Sequence, residues 1–265
     1  MSERTYQDIC FQKEGPLGIL TVNRPSVLNA LRTQTKEELS DALERTGDDA
    51  AIRGLLITGA GRAFISGSDI SEIGIGRPGK ETAQMSARTH QLLNRLAGLK
   101  KPVMAVINGF ALGGGLELAL ACDLRVCGEA ARMGLPEIDL GVLPCYGGTQ
   151  RLPRIVGSGL AKEMLMTGRM LNAQEAERYG LVNRIYPQKT LLEDAKKWML
   201  QILQYSPDAL AYAKLCVDKG MESSLEEGLA LESRVAGLLV ETPDAQKNVT
   251  AFLEKRKAKK EARHD

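Results

Sequence analysis

Asn108-Gly109-Phe110-Ala111-Leu112-Gly113-Gly114-Gly115-Leu116-Glu117 is the stretch of the sequence that says most about the fold. The apolar run 103–107 before it predicts a buried strand, and residues 116–122 predict a helix. Because the free N–H groups at a helix start carry the positive end of the helix dipole, this turn can hold an anion or a forming oxyanion. Tight packing of the helix against a strand explains a lone run of glycines equally well.

Glu117 is the one charged side chain in the segment 116–122, which is apolar on every side and therefore predicted to be buried. A buried carboxylate is costly unless it is paired or functional, so Glu117 is a candidate site residue. Burial raises its pKa and the helix N-terminus lowers it, and the sequence leaves the balance open. Glu137, after Leu135-Pro136, is a second acid whose own pattern is typical of a loop surface.

Strands and helices alternate along the first part of the chain. Residues 18–22, 54–58 and 124–127 predict further strands, and Thr35 with Glu38 predicts a capping box for a helix between the first two. This alternation favours βα units with mostly parallel pairing, an α/β fold.

The pattern changes to helices alone after residue 190, which predicts a core over 1–190 and a helical region over 191–265. Amphipathic helices such as these cover another surface, either the body of the same chain or a neighbouring subunit. The basic run 255–260 is typical of a solvated helix end more often than of an anion site.

Composition excludes several classes of function. The 265 residues include 35 basic and 33 acidic side chains, a net charge of +2 that gives no global attraction to nucleic acid or to a membrane surface. No segment is apolar enough to span a bilayer, and five cysteines without paired spacing suit a reducing, cytoplasmic location.

Two motif matches lack neighbouring features that the motifs require. The GxGxxG at 74–79 follows no predicted strand and carries Pro78, so a mobile loop is the better interpretation, and Glu81 stands where a phosphate loop needs Ser or Thr. His90, predicted at the surface, and His264 are the only histidines, too few for a histidine metal site, so no metal or separate cofactor is expected.

Motifs in register with the glycine turn resemble the crotonase family of acyl-coenzyme A enzymes, along nearly the whole chain. They are NRPSVLNA at 23–30, GRAFISGSDI at 61–70, GGG at 113–115, LPE at 135–137 and GGTQRL at 147–152. The resemblance implies a spiral of ββα units with a C-terminal helical region. It also implies a homotrimer, or a hexamer formed as a dimer of trimers, whose helical tail can complete the site of a neighbour.

The resemblance also implies chemistry. Enoyl-CoA hydratases of the family carry two glutamates, which match Glu117 as base and Glu137 as proton donor, and an oxyanion hole that matches the N–H groups of Ser68 and Gly114. The acyl-CoA substrate brings its own coenzyme A. The positions implied to bind it are Ser26, Val27, Leu28, Ala30, Ser66, Gly67, Asp69, Ile70, Gly113, Pro136, Cys145, Tyr146, Phe252 and Lys255.

Departures from the family pattern concern the acyl pocket. Cys145-Tyr146 stands where small residues are common, and Ser66 and Ser68 stand where hydratases commonly have alanine, which suggests an acyl group other than a simple straight chain. Alternatives are a double-bond isomerase, which needs one acid, a hydrolase or lyase on the same scaffold, and a non-catalytic acyl-CoA or RNA binding protein. The two intact acids and the near-neutral charge favour the hydratase.

Overall fold

The structure is a computed structural model that describes residues 5–72 and 78–261, with side chains up to residue 256. Its strands are β1 Ile9–Glu14, β2 Leu17–Val22, β3 Gly54–Gly59, β4 Ala63–Ile65, β5 Val103–Ile107, β6 Phe110–Leu112, β7 Leu124–Gly128, β8 Arg132–Gly134, β9 Leu171–Asn172 and β10 Arg184–Tyr186. Its helices are α1 Thr33–Asp48, α2 Gly79–Ala97, α3 Gly114–Leu120, α4 Gly148–Val156, α5 Ser158–Thr167, α6 Ala173–Arg178, α7 Leu191–Ile202, α8 Pro207–Gly220, α9 Leu225–Val240 and α10 Pro243–Glu261.

The strands form two sheets. The larger has the order β1-β2-β3-β5-β7-β10, in which β1 and β2 are antiparallel and all other neighbours are parallel. The smaller has the order β4-β6-β8-β9. Every residue of β3 and β5 is buried, which is why these runs are apolar throughout and do not alternate.

The chain repeats one structural unit. Strand β3 of the large sheet continues into β4 of the small sheet and then into α2, and β5, β6 and α3 follow in the same order. Strands β7 and β8 repeat the first two steps. This is the α/β arrangement of ββα units expected from the sequence, and it places the start of α3 directly after a short strand of the small sheet.

The predicted capping box at Thr35 and Glu38 is wrong. Helix α1 begins at Thr33 without a side-chain cap. The Thr35 hydroxyl donates to Asp8 Oδ2 at 2.6 Å, and the Glu38 carboxylate accepts the N–H groups of residues 7–9. Both side chains bond to the segment leading into β1, because that segment has a buried Asp8 carboxylate and buried N–H groups to satisfy.

Two compact units divide the described chain, Met1–Ile202 and Leu203–Asp265. Helix α7 belongs to the first because it packs on β3, β5 and β7. Compact packing therefore extends one helix beyond residue 190, where the sequence pattern changes. In the second unit α8 packs on α9, and α9 packs on α10.

The remaining sequence expectations concern the GxGxxG match, the two histidines and membrane-spanning segments. Residues 74–77 of the GxGxxG match lie outside the described residues, as does His264; α2 does open at Gly79, but the strand before it ends at Ile65. His90, predicted at the surface, is half-buried on α2. Within the described parts of the chain, no helix has the length and apolar character to cross a membrane.

Candidate active site

The glycine turn is shaped by what lies against it. Gly113 adopts φ 50° and ψ −127°, a conformation essentially restricted to glycine, and a Cβ atom there would lie 2.9 Å from Glu137 Oε1. A Cβ on Gly114 would lie 2.9 Å from the ring of Tyr146 and 3.3 Å from Ser68 Oγ. The turn therefore needs glycine because Glu137, Tyr146 and Ser68 converge on it, and not only for packing of helix on strand.

Glu117 is buried at the start of α3, with 1% of its surface exposed. Its Oε1 accepts the backbone N–H groups of Tyr146 and Gly148, each at 2.7 Å. Burial raises the pKa of Glu117 to about 7, against the lowering effect of these two hydrogen bonds, and the charge of Glu137 raises it further. Burial thus prevails in the balance that the sequence left open.

Glu137 lies in a 3-10 helix, Pro136–Leu140, and its carboxylate lies against Gly113 of the glycine turn. Its Oε2 is buried and has no hydrogen-bond partner among the described residues. Burial raises the pKa of Glu137. A buried carboxyl oxygen without a partner requires an explanation, and a bound substrate or water is the simplest one.

Two backbone N–H groups beside the glycine turn are not used by the bridge or the helix that contains them. Ser68 pairs with Leu31 in a parallel bridge, in which Leu31 donates to Gly67 O and Asp69 donates to Leu31 O. In such a bridge the N–H of the central residue, here Ser68, points away from the paired strand. The N–H of Gly114 belongs to the first residue of α3 and has no acceptor within the helix. Together they can hold a partly negative oxygen.

Tyr146 connects these groups. Only 7% of it is exposed, its hydroxyl is 2.9 Å from Ser68 Oγ, and its backbone holds Glu117. The Lys36 ammonium lies 3.5 Å from the same hydroxyl and 5.4 Å from the ring centroid. The sequence gives no signal for Lys36, because it lies 110 positions before Tyr146. Only the fold brings the two residues together.

Arg151 is a further residue beside the acids. In the sequence it is only one residue of the motif at 147–152. In the structure its guanidinium donates to Tyr146 O at 3.1 Å and to Asn94 Oδ1 at 2.6 Å. Its positive charge lowers the pKa of Glu117, but this effect is smaller than that of burial. Arg151 thus stabilises the loop that carries the two N–H donors to Glu117.

The segment 23–30 lies along the other edge of the Ser68 loop. Leu28 and Asn29 have left-handed backbone conformations, with φ of 51° and 61°. The buried Asn29 amide donates to the carbonyls of Ala60, Ala63 and Phe64, which stabilises this turn. The Ser66 N–H donates to Leu28 O at 3.0 Å. The fold thus places Val27 and Leu28 beside Ser66, and binding of coenzyme A by this segment stays a prediction.

The other predicted binding residues are placed less directly. The Asp69 carboxylate is engaged by Ser71 and, at 2.9 Å, by Arg24, and these bonds lower its pKa. Ile70 is exposed next to it. Cys145 is exposed, and its carbonyl accepts from the Ser86 hydroxyl. Phe252 and Lys255 lie on α10, in the second compact unit, with Phe252 65% exposed.

Comparison with known proteins supplies the family. The family model for enoyl-CoA hydratase/isomerase matches residues 12–263. The chain belongs to this enoyl-CoA hydratase/isomerase family. A crotonyl-CoA hydratase of Syntrophomonas wolfei is 41% identical over 96% of this chain and 97% of its own length. A 2,3-dehydroadipyl-CoA hydratase of Escherichia coli is 41% identical over 90% of this chain and 92% of its own.

Solved structures agree with the family assignment. An enoyl-CoA hydratase from Bacillus anthracis superposes with a TM-score of 0.89 at 37% identity, over 94% of this chain and 97% of the other. The expected crotonase-type α/β fold of the enoyl-CoA hydratase/isomerase family is therefore confirmed. The roles of Glu117, Glu137, Ser68 and Gly114 stay predictions.

Proposed function

We propose that this protein is an enoyl-CoA hydratase that adds water across the C2–C3 double bond of a 2-enoyl-CoA thioester. The observation that carries the proposal is the pair of acids at the glycine turn, Glu117, which is buried, and Glu137, which is half-buried with a buried Oε2. A pKa of about 7 at Glu117 leaves a large charged fraction at neutral pH, as a general base needs. The names of the similar hydratases support the same reaction.

Each step of the reaction can be assigned to a group of the chain. Glu117 removes a proton from water as the water oxygen bonds to the β-carbon. The electron pair of the double bond moves towards the thioester oxygen, and Glu137, whose pKa is raised by burial, delivers a proton to the α-carbon. Because the two carboxyl groups interact, their titrations are properties of the pair.

The developing negative charge falls on the thioester oxygen. The N–H groups of Ser68 and Gly114 are proposed as its donors, since neither is used by the bridge or by the helix. One such donor is worth roughly 100-fold to 1000-fold in rate. Coenzyme A enters as part of the substrate, along residues 26–30 and Ser66 beside the Ser68 loop.

The test is hydration of crotonyl-CoA, followed as loss of the absorbance of the conjugated thioester. We expect Glu117→Gln and Glu137→Gln each to lower kcat/KM by about 100-fold or more. Glu129→Gln, an exposed glutamate between β7 and β8, is the matched control and should match the unmodified enzyme. Wild-type hydration by Glu117→Gln would exclude the two-acid mechanism.

The isomerase alternative has its own readout. An isomerase moves a proton between carbons with one acid, so a 3-enoyl-CoA would gain conjugation and crotonyl-CoA would not be hydrated. Glu117 argues against this, because a second buried acid with a raised pKa has no role in a one-acid reaction. Turnover of the 3-enoyl-CoA alone, unaffected by Glu117→Gln, would favour the isomerase.

We also propose that the protein is a trimer or hexamer in the cytoplasm. Many large apolar side chains of α8–α10 are exposed in the single chain, including Leu225 at 79% and Phe252 at 65%, and such surfaces are typical of subunit interfaces. The five cysteines are thiols, which suits a reducing compartment. Native mass spectrometry tests the assembly, and a monomer at micromolar concentration would exclude it.

A further inference from the structure

We propose that the acyl pocket recognises an enoyl-CoA whose acyl chain ends in a carboxylate, and that Lys36, positioned by Tyr146, binds that carboxylate. The inference rests on the proposed hydratase function and names the substrate class of the same site.

Lys36 carries a positive charge that the described fold does not neutralise. The side chain is half-buried, its ammonium donates to the Tyr146 hydroxyl at 3.5 Å and lies above the ring, and no carboxylate among the described residues forms an ion pair with it. An ammonium has three N–H donors, so two are free for a ligand. Lys36 also lies in the first turn of α1, where the helix dipole disfavours a cation. Its position therefore gains nothing from the helix.

Tyr146 places Lys36 on the acyl side of the reaction centre. The Tyr146 backbone N–H holds Glu117, the proposed base at the β-carbon, and its ring lies against Gly114. The segment 26–30, proposed to line the coenzyme A side, contacts the Ser68 loop through Leu28 O, which accepts the N–H of Ser66. An acyl chain that extends past the β-carbon thus runs towards Tyr146 and Lys36.

The groove beyond Lys36 is basic. It has a volume of about 230 Å³ between α1 and α2, and Lys36, Arg88 and Arg95 line it with Glu37 as the one acid. Arg95 is engaged by Ser40 at 3.0 Å, which leaves Lys36 as the half-buried cation at the end next to Tyr146. A carboxylate would form a charge-assisted hydrogen bond with the ammonium.

The test compares two six-carbon substrates that differ only at the end of the chain, hex-2-enoyl-CoA and 2,3-dehydroadipyl-CoA. We expect kcat/KM to be about 10- to 100-fold higher for the carboxylated substrate. Lys36→Met should lower kcat/KM for the carboxylated substrate by about 10- to 100-fold more than for hex-2-enoyl-CoA and so abolish the preference, whereas Lys36→Arg should retain part of it. Lys162→Met, an exposed lysine on α5, is the matched control.

Binding of the saturated thioesters hexanoyl-CoA and adipyl-CoA, measured by calorimetry, gives the same comparison without catalysis. An equal loss for both in Lys36→Met would show that Lys36 binds the coenzyme A part, and would overturn the inference. Turnover of hex-2-enoyl-CoA without any advantage for the carboxylate would also overturn it while the hydratase function stands. If no enoyl-CoA is hydrated, the proposed function fails and the inference falls with it.

Discussion

Two buried glutamates in this chain have opposite surroundings. Glu38, on α1, accepts the N–H groups of residues 7–9 and the Gln34 side-chain amide, and both of its oxygens are used. Glu117, on α3, accepts two N–H groups through Oε1 alone, and its neighbour Glu137 has a buried oxygen without a partner among the described residues.

The difference separates a structural acid from a chemical one. Four donors around Glu38 replace the water it lost on folding, so its charge stabilises the entry into β1. The two donors around Glu117 do not replace the water that it lost, so burial raises its pKa to about 7. An acid that the fold satisfies incompletely remains available to react with a substrate.

The largest effect should come from Glu117→Gln, with opposite signs for activity and stability. Hydration should fall by about 100-fold or more. The folded pKa of Glu117 is about 7 against an ordinary 4.5, so its charge costs folding free energy that grows as pH rises from 4.5 to about 7, on the order of 3 kcal/mol at pH 8. Urea unfolding at pH 8 should therefore show the variant to be more stable. A variant less stable than the unmodified protein would contradict the comparison.

Glu38→Ala should show the reverse. Removal of the carboxylate leaves the buried N–H groups of residues 7–9 unsatisfied, which costs on the order of 2–4 kcal/mol of unfolding free energy. Activity per folded molecule should remain near that of the unmodified enzyme. Thermal melting with Glu37→Ala, the exposed neighbour, as control measures the first effect. A specific loss of kcat at unchanged stability would place Glu38 with the chemistry.

The pH dependence should report Glu117. The free enzyme should lose kcat/KM as pH falls through about 7, because the base becomes protonated. Because the proposed mechanism uses Glu137 in its protonated, uncharged form, the neutral side chain in Glu137→Gln should keep the acid limb of the residual activity near pH 7. Disappearance of the acid limb in Glu137→Gln but not in Glu117→Gln would show that the limb belongs to Glu137.

The smallest effect concerns Asp8, a second satisfied acid. Hydrogen bonds from Arg32 and Thr35 lower its pKa, with Arg32 the largest cause, so its contribution is present above the ordinary value of 3.8 and lost as pH falls through the folded pKa. Asp8→Asn should therefore flatten the loss of unfolding free energy below pH 3.8. The midpoints of urea unfolding, measured for both proteins at several pH values in this range, give the loss. The same dependence on pH in Asp8→Asn and in the unmodified protein would contradict the prediction.

Agreement between sequence and structure was best where one physical cause acted alone. The apolar runs at 54–58 and 103–107 became β3 and β5, because burial on all sides dictates a continuous apolar strand. The capping box at Thr35 failed because a long-range demand from residues 7–9 was stronger than a local cap. The short strands β4, β6 and β8 escaped notice because three residues carry too little periodicity.

The sequence by itself determined the α/β order, the glycine turn, the isolated acid on α3 and, through motifs in register, the family. Only the tertiary structure decided that burial prevails over the helix dipole at Glu117, that Glu137 keeps an unpartnered oxygen, and that Lys36 meets Tyr146. Local periodicity and turn chemistry depend on neighbours along the chain, which a sequence lists. Desolvation and ion pairing depend on neighbours in space, which only the packed fold brings together.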